Sequence, residues 1–532
     1  MLSKSASVKP FLLVAVFALL QACGGGSKDP EVSNSSVAAT SSSSVSSSGI
    51  SSSSLITSSS STSLVSSSLN SSTANSPSSS SSLSSVISSL NSSTNSSSSS
   101  KSSSSTPTDL PVGTVDVLPV LNLNTNSSAS IVSKEVYVAG SFTLSDVGAA
   151  DVTGTLEVRG RGNSTWGWSK KPYRLKLTNS TALLGMPKGK NWVLLANYAD
   201  KTLMRNDIAF MFSRSLGFEW TPRARYVELN VNGIYQGVYQ LVEHVRIDKD
   251  RVNIDEMKVA DIDSEKITGG YLLQIDFRHN TNYCVNSSWD PVCVNGVNTS
   301  RNIDFCLDST HGMEPACLEN PETLQTDPLW VNQKLYIEKY YADFETALFS
   351  ANFTDPAIGY AAYIDVDSVI NYYIENELFK NVDGSVASFY LYKKRGGKLF
   401  FGPIWDFDLS MGNAGYDNVD KTNGWHIRTA SWFTQLFKDP AFVAKVKARW
   451  KALKDEGKLE YIFQYAQARA TWLDKQQKKN FLTWSIKDTE TDINSWVQHG
   501  THGGTGSYSA EVAELIRWQR ERTEWIDKQL NP

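Results

Sequence analysis

The order of apolar and polar positions divides the chain into three stretches. Near the start, an unbroken apolar run from Phe11 to Leu20 follows Lys4 and Lys9 and ends at Gln21-Ala22-Cys23. From about Ser35 to Thr108 there is no periodicity, only serine with scattered Asn, Thr, Val and Leu. From Pro111 onward, period-two alternation and helical spacing take turns up to Pro532.

Within that last stretch, Leu118 to Asn124, Val136 to Leu144 and Gly154 to Arg159 read as strands, the third running into the loop Gly160-Arg161-Gly162-Asn163-Ser164-Thr165-Trp166. Along Pro172 to Leu177, alternation sets Tyr173, Leu175 and Leu177 on one face and Arg174 and Lys176 on the other. After the strand Asn191 to Leu195, a helix is expected with Asp200 as N-cap. Leu203, Met204, Ile208, Met211, Phe212 and Leu216 recur at helical spacing, and Gly217 stops the helix. Asn232-Gly233 between Tyr226–Val231 and Ile234–Tyr239 predicts a hairpin with a type I′ turn. A helix at Val369 to Leu378 then breaks at Asn381-Val382-Asp383-Gly384. The strands Phe389–Tyr392 and Lys398–Phe401 follow, joined at Gly396-Gly397, and lead to Trp405-Asp406-Phe407-Asp408. From Pro440 the pattern is helical, with a glycine-rich break at His499 to Gly506.

The ends change the picture. A basic start, a short apolar run and a small residue before Cys23 describe a secretory signal, too short for a span that needs about 20 residues. Leu20-Gln21-Ala22-Cys23 resembles a lipobox, so residues 1–22 are expected to be removed and Cys23 acylated; Gly24 behind it implies sorting to the outer membrane. Residues 23–110 then form a disordered serine-rich tether, because they cannot bury enough apolar area to offset conformational entropy. About 75 such residues reach roughly 50 Å, enough to clear a lipid surface. Residues 111–532 hold the folded part, with its helical portion from about residue 430. A net charge of −4 gives no electrostatic grip on nucleic acid, so the membrane is met through the lipid on Cys23 alone.

Cys284, Cys293, Cys306 and Cys317 lie within an Asn/Ser/Gly-rich insertion at about 280–325. In an exported protein they suggest two disulfides with three possible connectivities, while a zinc site would lack any C-x-x-C pair. His499 and His502 have no acidic neighbour and read as solvated. No H-E-x-x-H or G-x-S-x-G occurs, which weakens protease and esterase readings.

The chemistry gathers at the hairpin after Asp383. Its two strands are similar in length, so Asp383 and Asp406 should meet at the open end with Asp408 nearby. Carboxylates crowded together need a cation or a shared proton, and oxygen ligands suit Mg²⁺, Mn²⁺ or Ca²⁺. The loop Gly160 to Ser164 could approach an anion through its N–H groups, with Arg174 or Lys176 on phosphates. Together these outline phosphoryl transfer.

Five segments also resemble the CotH family of atypical, protein-kinase-like proteins. They are Arg159-x-Arg-Gly-Asn-Ser-Thr-Trp166, Lys171-Pro-Tyr-Arg-Leu-Lys-Leu177, Asn191-Trp-x-Leu-Leu-x-Asn-Tyr-x-Asp200, Asn232-Gly-x-Tyr-x-Gly-Val-Tyr-x-Leu-x-Glu243 and Gly402-Pro-x-Trp-Asp-Phe-Asp408. The resemblance implies an α+β, bilobal, atypical protein-kinase-like fold with a helical C-terminal subdomain, and transfer of phosphate from ATP to protein Ser or Thr with Mg or Mn. It casts Asp383 as the catalytic-loop aspartate and Asp406 as the metal aspartate. Lys176 becomes the phosphate lysine, Arg161 and Asn163 shape the nucleotide loop, Arg205 orients the site, and Glu243 lies where the lobes join. Two departures stand out. Ser388 occupies the position of a metal-binding Asn, with Asp408 or Asn413 able to compensate, and the helix after Asp200 has no Glu for Lys176, only Asp207.

Plainer roles compete. Arg161 and Asn163 can brace a tight loop, Trp166, Trp192 and Trp405 can be core, Glu243 can be a structural ion-pair partner, and Asp383 can be a turn former. Two rival functions remain open. One is a catalytically weak binding module for nucleotide, protein or glycan. The other is a glycan-active surface protein whose paired carboxylates hydrolyse glycosides, although the glycine loop and the basic strand have no part in that scheme.

Overall fold

The computed structural model describes residues 115–280, 293–294, 297–298, 305–321, 328–487 and 506–531. Cys23, the tether, Cys284, His499 and His502 lie outside the described residues, and Cys293 contributes only backbone.

Seven strands close into a barrel: β1 (Val120–Thr125), β2 (Val138–Ser145), β3 (Val152–Gly160), β4 (Tyr173–Thr181), β5 (Gly189–Leu195), β6 (Ala224–Val231) and β7 (Ile234–Glu243), in the order β1-β2-β3-β4-β5-β7-β6. Neighbours are antiparallel except at the seam, where β1 runs parallel to β6 with Val120 opposite Glu228. Alternation decides what fills the barrel. Tyr173, Leu175 and Leu177 of β4 point inward beside Leu156 and Val158 of β3 and Trp192 of β5. The β6–β7 turn has Asn232 at φ 50° and Gly233 at φ 78°, the type I′ geometry expected of Asn-Gly.

Helix α1 is the short turn Ser164–Gly167 between β3 and β4, and α2 spans Arg205–Leu216. Gly217 ends α2 at φ 82°, as expected, but Asp200 does not cap it in the ordinary way. The Asp200 carboxylate sits one turn earlier and accepts from Thr202 N (3.0 Å) and Arg205 N (2.8 Å), while Met204 occupies the N-cap.

A second sheet joins β8 (Tyr271–Ile275), β9 (Cys306–Leu307), β10 (Ala316–Asn320), β11 (Phe389–Lys393) and β12 (Leu399–Phe401), in the order β9-β10-β8-β11-β12. Cys306 and Cys317 are direct register partners on β9 and β10 and form a disulfide. On this side lie α3 (Val331–Phe349), α4 (Val366–Phe379), α5 (Ser431–Leu436), α6 (Pro440–Asp455), α7 (Lys458–Trp472) and α9 (Tyr508–Leu530), while α8 (Asp474–Thr483) packs against β7 of the barrel. Asp439 starts α6 by accepting from Ala441 N at 2.8 Å, with Pro440 at the first helical position. Their apolar faces enter one continuous core that includes Phe389, Phe401 and Trp432. Among the described residues no helix is long and apolar enough to cross a membrane.

The mixed α+β class and the helical C-terminal portion are as expected. The closed barrel is a finding that local pattern did not anticipate.

Candidate active site

Helix α4 ends at Lys380, which turns left-handed at φ 44° and sends the chain into the loop that holds Asp383. The Asp383 carbonyl accepts from Val386 N (3.0 Å) and Ala387 N (2.9 Å), closing a turn. Gly384 is required inside it, because an added Cβ would lie 2.7 Å from Asn376 Oδ1. The chain leaves along β11, returns along β12 and reaches Asp406, itself at φ 66°. Ser388, at φ 51°, donates its hydroxyl to Asp406 Oδ2 at 3.3 Å. The hairpin therefore delivers both loops to one place.

The carboxyls feel one another there. Burial, and then the negative charge of Asp406, push Asp383 from 3.8 up to about 7, with Arg278 opposing. Asp408 is buried and raised well above the ordinary carboxylate range, first by burial and then by Asp406, Asp383 and Asp200, with Arg161 opposing. Tyr416 is raised in the same way, by burial and by the charges of all three aspartates and Asp417.

Arg161, Thr165, Trp168 and Pro172 come from the β3–β4 connection and line a cleft over Asp406 and Asp408. Arg161 lies 5.6 Å over the Trp405 ring. Gly162, at φ 86°, has no room for a side chain, since a Cβ would meet Thr165 Oγ1 at 1.9 Å. Arg161, Arg174 and Arg246 surround His244 and, after burial, hold its imidazole well below its ordinary value. Arg161 and Arg174 also flank the Tyr390 hydroxyl together with Asp406. Several guanidinium groups thus share the neighbourhood of the aspartates. The cleft itself is narrow, about 10 Å³, room for a single water.

The other expected residues are placed differently. Lys176 stands on the outer face of the barrel, paired with Glu157 at 3.2 Å and half exposed, and is not among the residues lining the cleft. Lys170 lines the cleft, but its ammonium is buried and committed to Val238 O (2.6 Å) and Asn480 Oδ1 (3.0 Å). Asn163 precedes α1 without a side-chain capping bond. Glu243 is fully buried at the end of β7 and bound by Arg223 (3.0 Å) and Arg251 (3.6 Å), the arrangement of a structural ion pair. Asp207 turns toward Tyr465 (2.8 Å) and Arg469 (2.7 Å) rather than toward a lysine on β4. Asn413 donates its amide N–H groups to the carbonyls of Asp408 (2.7 Å) and Ala199 (3.2 Å), which fixes the side chain against the loop backbone.

Arg205 holds the aspartate loop. Its guanidinium pairs with Asp200 (2.6 Å) and donates to the carbonyls of Ser410 (3.1 Å) and Met411 (3.4 Å). A second brace escaped sequence reasoning. Gln240 of β7 accepts from Asn197 (3.0 Å), Asn197 accepts from Asn206 (3.4 Å), and Asn206 Oδ1 accepts from Phe407 N (2.9 Å) between the two aspartates. The advance signal was Asn197, a polar residue in a mostly apolar segment and a fixed position of the motif Asn191 to Asp200.

The donor set fits a divalent cation. Asp406 presents a half-buried carboxylate beside the Ser388 hydroxyl, and the carboxyls of Asp383 and Asp408 crowd it, only partly offset by Arg278 and Arg161. No three carboxylates in the described residues bring an oxygen each within 4.8 Å of one another, so the fit is to a site completed by ligand or solvent oxygen.

A search of curated proteins returns no match. The family model described as CotH kinase protein matches residues 158–526, from the end of β3 to the last turns of α9, and so takes in every residue of the cleft. With more than half of its length matched, from the glycine loop through both aspartates to the C-terminal helix, the chain belongs to the CotH family.

Proposed function

We propose that this CotH-family chain is a protein kinase that passes phosphate from ATP to a protein serine or threonine with Mg²⁺ or Mn²⁺. In this reading the barrel serves as the small lobe, and the second sheet with its helices serves as the large lobe. The observation that carries it is the meeting of Asp383 and Asp406 at the open end of one hairpin, with Arg161 opposite.

Asp383 orients the acceptor hydroxyl and takes its proton as the oxygen attacks the γ-phosphorus of ATP and the bond from that phosphorus to the leaving ADP oxygen breaks. A native pKa of about 7 suits a group that must accept and release a proton near neutrality. Asp406, with Ser388 and Asp408 next to it, would hold the divalent ion, which supplies charge neutralisation for the phosphates. In this reading Arg161, which lines the cleft, acts on the phosphates with Arg174, the alternative that the sequence offered beside Lys176. Arg205 and Asn206 fix the backbone around Asp406 so that its carboxylate need not reorganise. The secretory signal and the lipobox at Cys23 support action beyond the inner membrane from an outer-membrane lipid anchor.

A second reading rests on the narrow cleft, the committed Lys170 and Ser388 in place of Asn. In that reading the domain binds nucleotide, protein or glycan without turnover. Thermal unfolding of the mature chain carrying Cys23→Ser separates the two. A native-state ligand at 100 times its Kd stabilises by about 2.7 kcal/mol. The kinase reading requires such a shift with ATP and Mg²⁺ or Mn²⁺, its loss in Asp406→Ala, and metal-dependent label transfer to protein. ATP turnover undiminished in Asp406→Ala would sink it, and a metal-independent shift without turnover would favour the binding module.

A further inference from the structure

The segment between the aspartates and α5 has almost no secondary structure, yet most of its carbonyls have partners. Two cations and an indole collect them. Lys380 Nζ donates to Asn418 O (2.8 Å), Lys421 O (2.9 Å) and Asn423 O (2.7 Å), using all three of its protons. Arg522, fully buried on α9, donates to Thr422 O (3.1 Å), Gly424 O (2.7 Å), Glu377 O (2.9 Å) and Glu377 Oε1 (2.6 Å). The Trp518 indole, one turn earlier on α9, donates to Asp420 O at 2.8 Å. Glu377 completes the joint by accepting from His426 N (2.8 Å) and Arg428 N (2.9 Å).

The anchor points are the site's own neighbours. Glu377 and Lys380 lie on the last turn and cap of α4, just before Asp383. At the other end Met411 N donates to Phe379 O at 2.7 Å, directly after Asp406 to Ser410. Gly412 packs so closely on Trp518 that a Cβ would lie 2.7 Å from its ring. The segment also carries Tyr416, whose hydroxyl feels all three aspartates. One guanidinium therefore ties together the last turn of α4, 145 residues away, and loop carbonyls beyond Asp408 that are 98 and 100 residues away.

We propose that Arg522 is a positioning residue for phosphoryl transfer: it locks the segment 411–428 against α4 and so fixes Asp383 and Asp406 relative to each other. The lock is built from the chain's own arginine and needs no added phosphate to order the segment. This inference rests on the kinase reading for its activity readout, but not for its structural one.

Arg522→Lys keeps the charge and loses the planar fork that reaches both Glu377 and the loop carbonyls. Misplacement of catalytic groups by about 1 Å costs about 10²-fold. The expected result is a kcat lowered about 10- to 100-fold with KM for ATP changed less than about threefold, because the nucleotide side of the cleft is built by the barrel. Amide exchange should quicken in 411–428 and 379–386 but not in β1–β7. Trp518→Phe, which keeps an aromatic ring against Gly412 and removes the indole donor, should show a smaller change in the same direction, and it decides the matter if Arg522→Lys does not fold. An unchanged kcat, or unchanged exchange in 411–428 beside a general loss of protection, would overturn the proposal. If the wild-type mature chain shows no ATP turnover, the kinase reading fails, and the exchange comparison alone decides whether Arg522 holds the segment.

Discussion

Replacing Asp383 with Asn should make the protein more stable while abolishing phosphate transfer, and the stabilisation should depend on pH in a definite way. In the native state the carboxyl holds its proton up to about pH 7, whereas the ordinary value is 3.8. Each decade in proton affinity is worth about 1.36 kcal/mol, so ionising Asp383 at high pH carries a penalty of up to about 4 kcal/mol. Asp383 keeps some contact with solvent, which makes that figure a ceiling, and about 1–3 kcal/mol is the range to look for. The sign follows from proton binding. Between pH 3.8 and about 7 the native state holds more protons at this site than the unfolded chain, so its contribution to stability falls as pH rises and is flat above. Asn carries no such penalty, and its isosteric amide keeps the turn carbonyl bonds to Val386 and Ala387. Urea unfolding of the mature chain, followed by tryptophan fluorescence at pH 5 and pH 8, gives the comparison if the slope with denaturant is unchanged. The Asp383→Asn gain should be larger at pH 8 than at pH 5. A gain of equal size at both values would refute the electrostatic origin, and a loss at pH 8 would show that the ionised carboxylate has a stabilising partner this reasoning omits.

Other substitutions test the placement of the remaining residues. Lys176→Ala removes only a half-exposed pair with Glu157 and should change stability by less than about 1 kcal/mol and leave ATP-dependent stabilisation intact; loss of the nucleotide shift would restore the phosphate role expected from sequence. Glu243→Ala removes one of two carboxylates on Arg251, which is 1% exposed and keeps Asp248 at 3.6 Å; the cost in urea unfolding should therefore stay below the about 3–5 kcal/mol of a fully unpaired buried charge, without selective loss of nucleotide binding in whatever fraction folds.

Much of the site was legible because it is local. Asn232-Gly233 sets its own turn, Gly217 stops its own helix, and the strands after Asp383 pair with each other, so Asp383 and Asp406 could be brought together without knowing the rest. What failed was orientation. Alternation correctly put Lys176 opposite Tyr173, Leu175 and Leu177, but local pattern does not say that those three fill a barrel and turn Lys176 outward. Barrel closure depends on β1 meeting β6, a pairing between Val120 and Glu228 that no local signal encodes. Glu243 shows the same limit, since its partners Arg223 and Arg251 reach it only through the folded ends of β6 and the loop after β7. The carbonyl-collecting roles of Lys380 and Arg522 were equally invisible, because acceptors on an irregular backbone leave no residue pattern.

The distribution of strain argues that the cleft is built for something. Non-glycine residues at positive φ include Asn197, Leu203, Lys380, Ser388, Asp406, Met411, Asp417 and Asn418, all in the loops that frame the aspartates. Leucine, serine and methionine gain nothing locally from this conformation, and each such residue costs about 1–3 kcal/mol unless its surroundings hold it. Here the surroundings are identifiable: Arg205 on the carbonyls of Ser410 and Met411, Asn206 on Phe407 N, Lys380 and Arg522 on the loop beyond. Those braces are themselves buried polar groups with a desolvation cost. A fold that only needed to bury Trp405 and Phe407 could have used a relaxed backbone and no charge. Strain, crowded carboxyls and buried cations all converge on Asp383, Asp406 and Asp408, the preorganisation that the proposed kinase reading calls for.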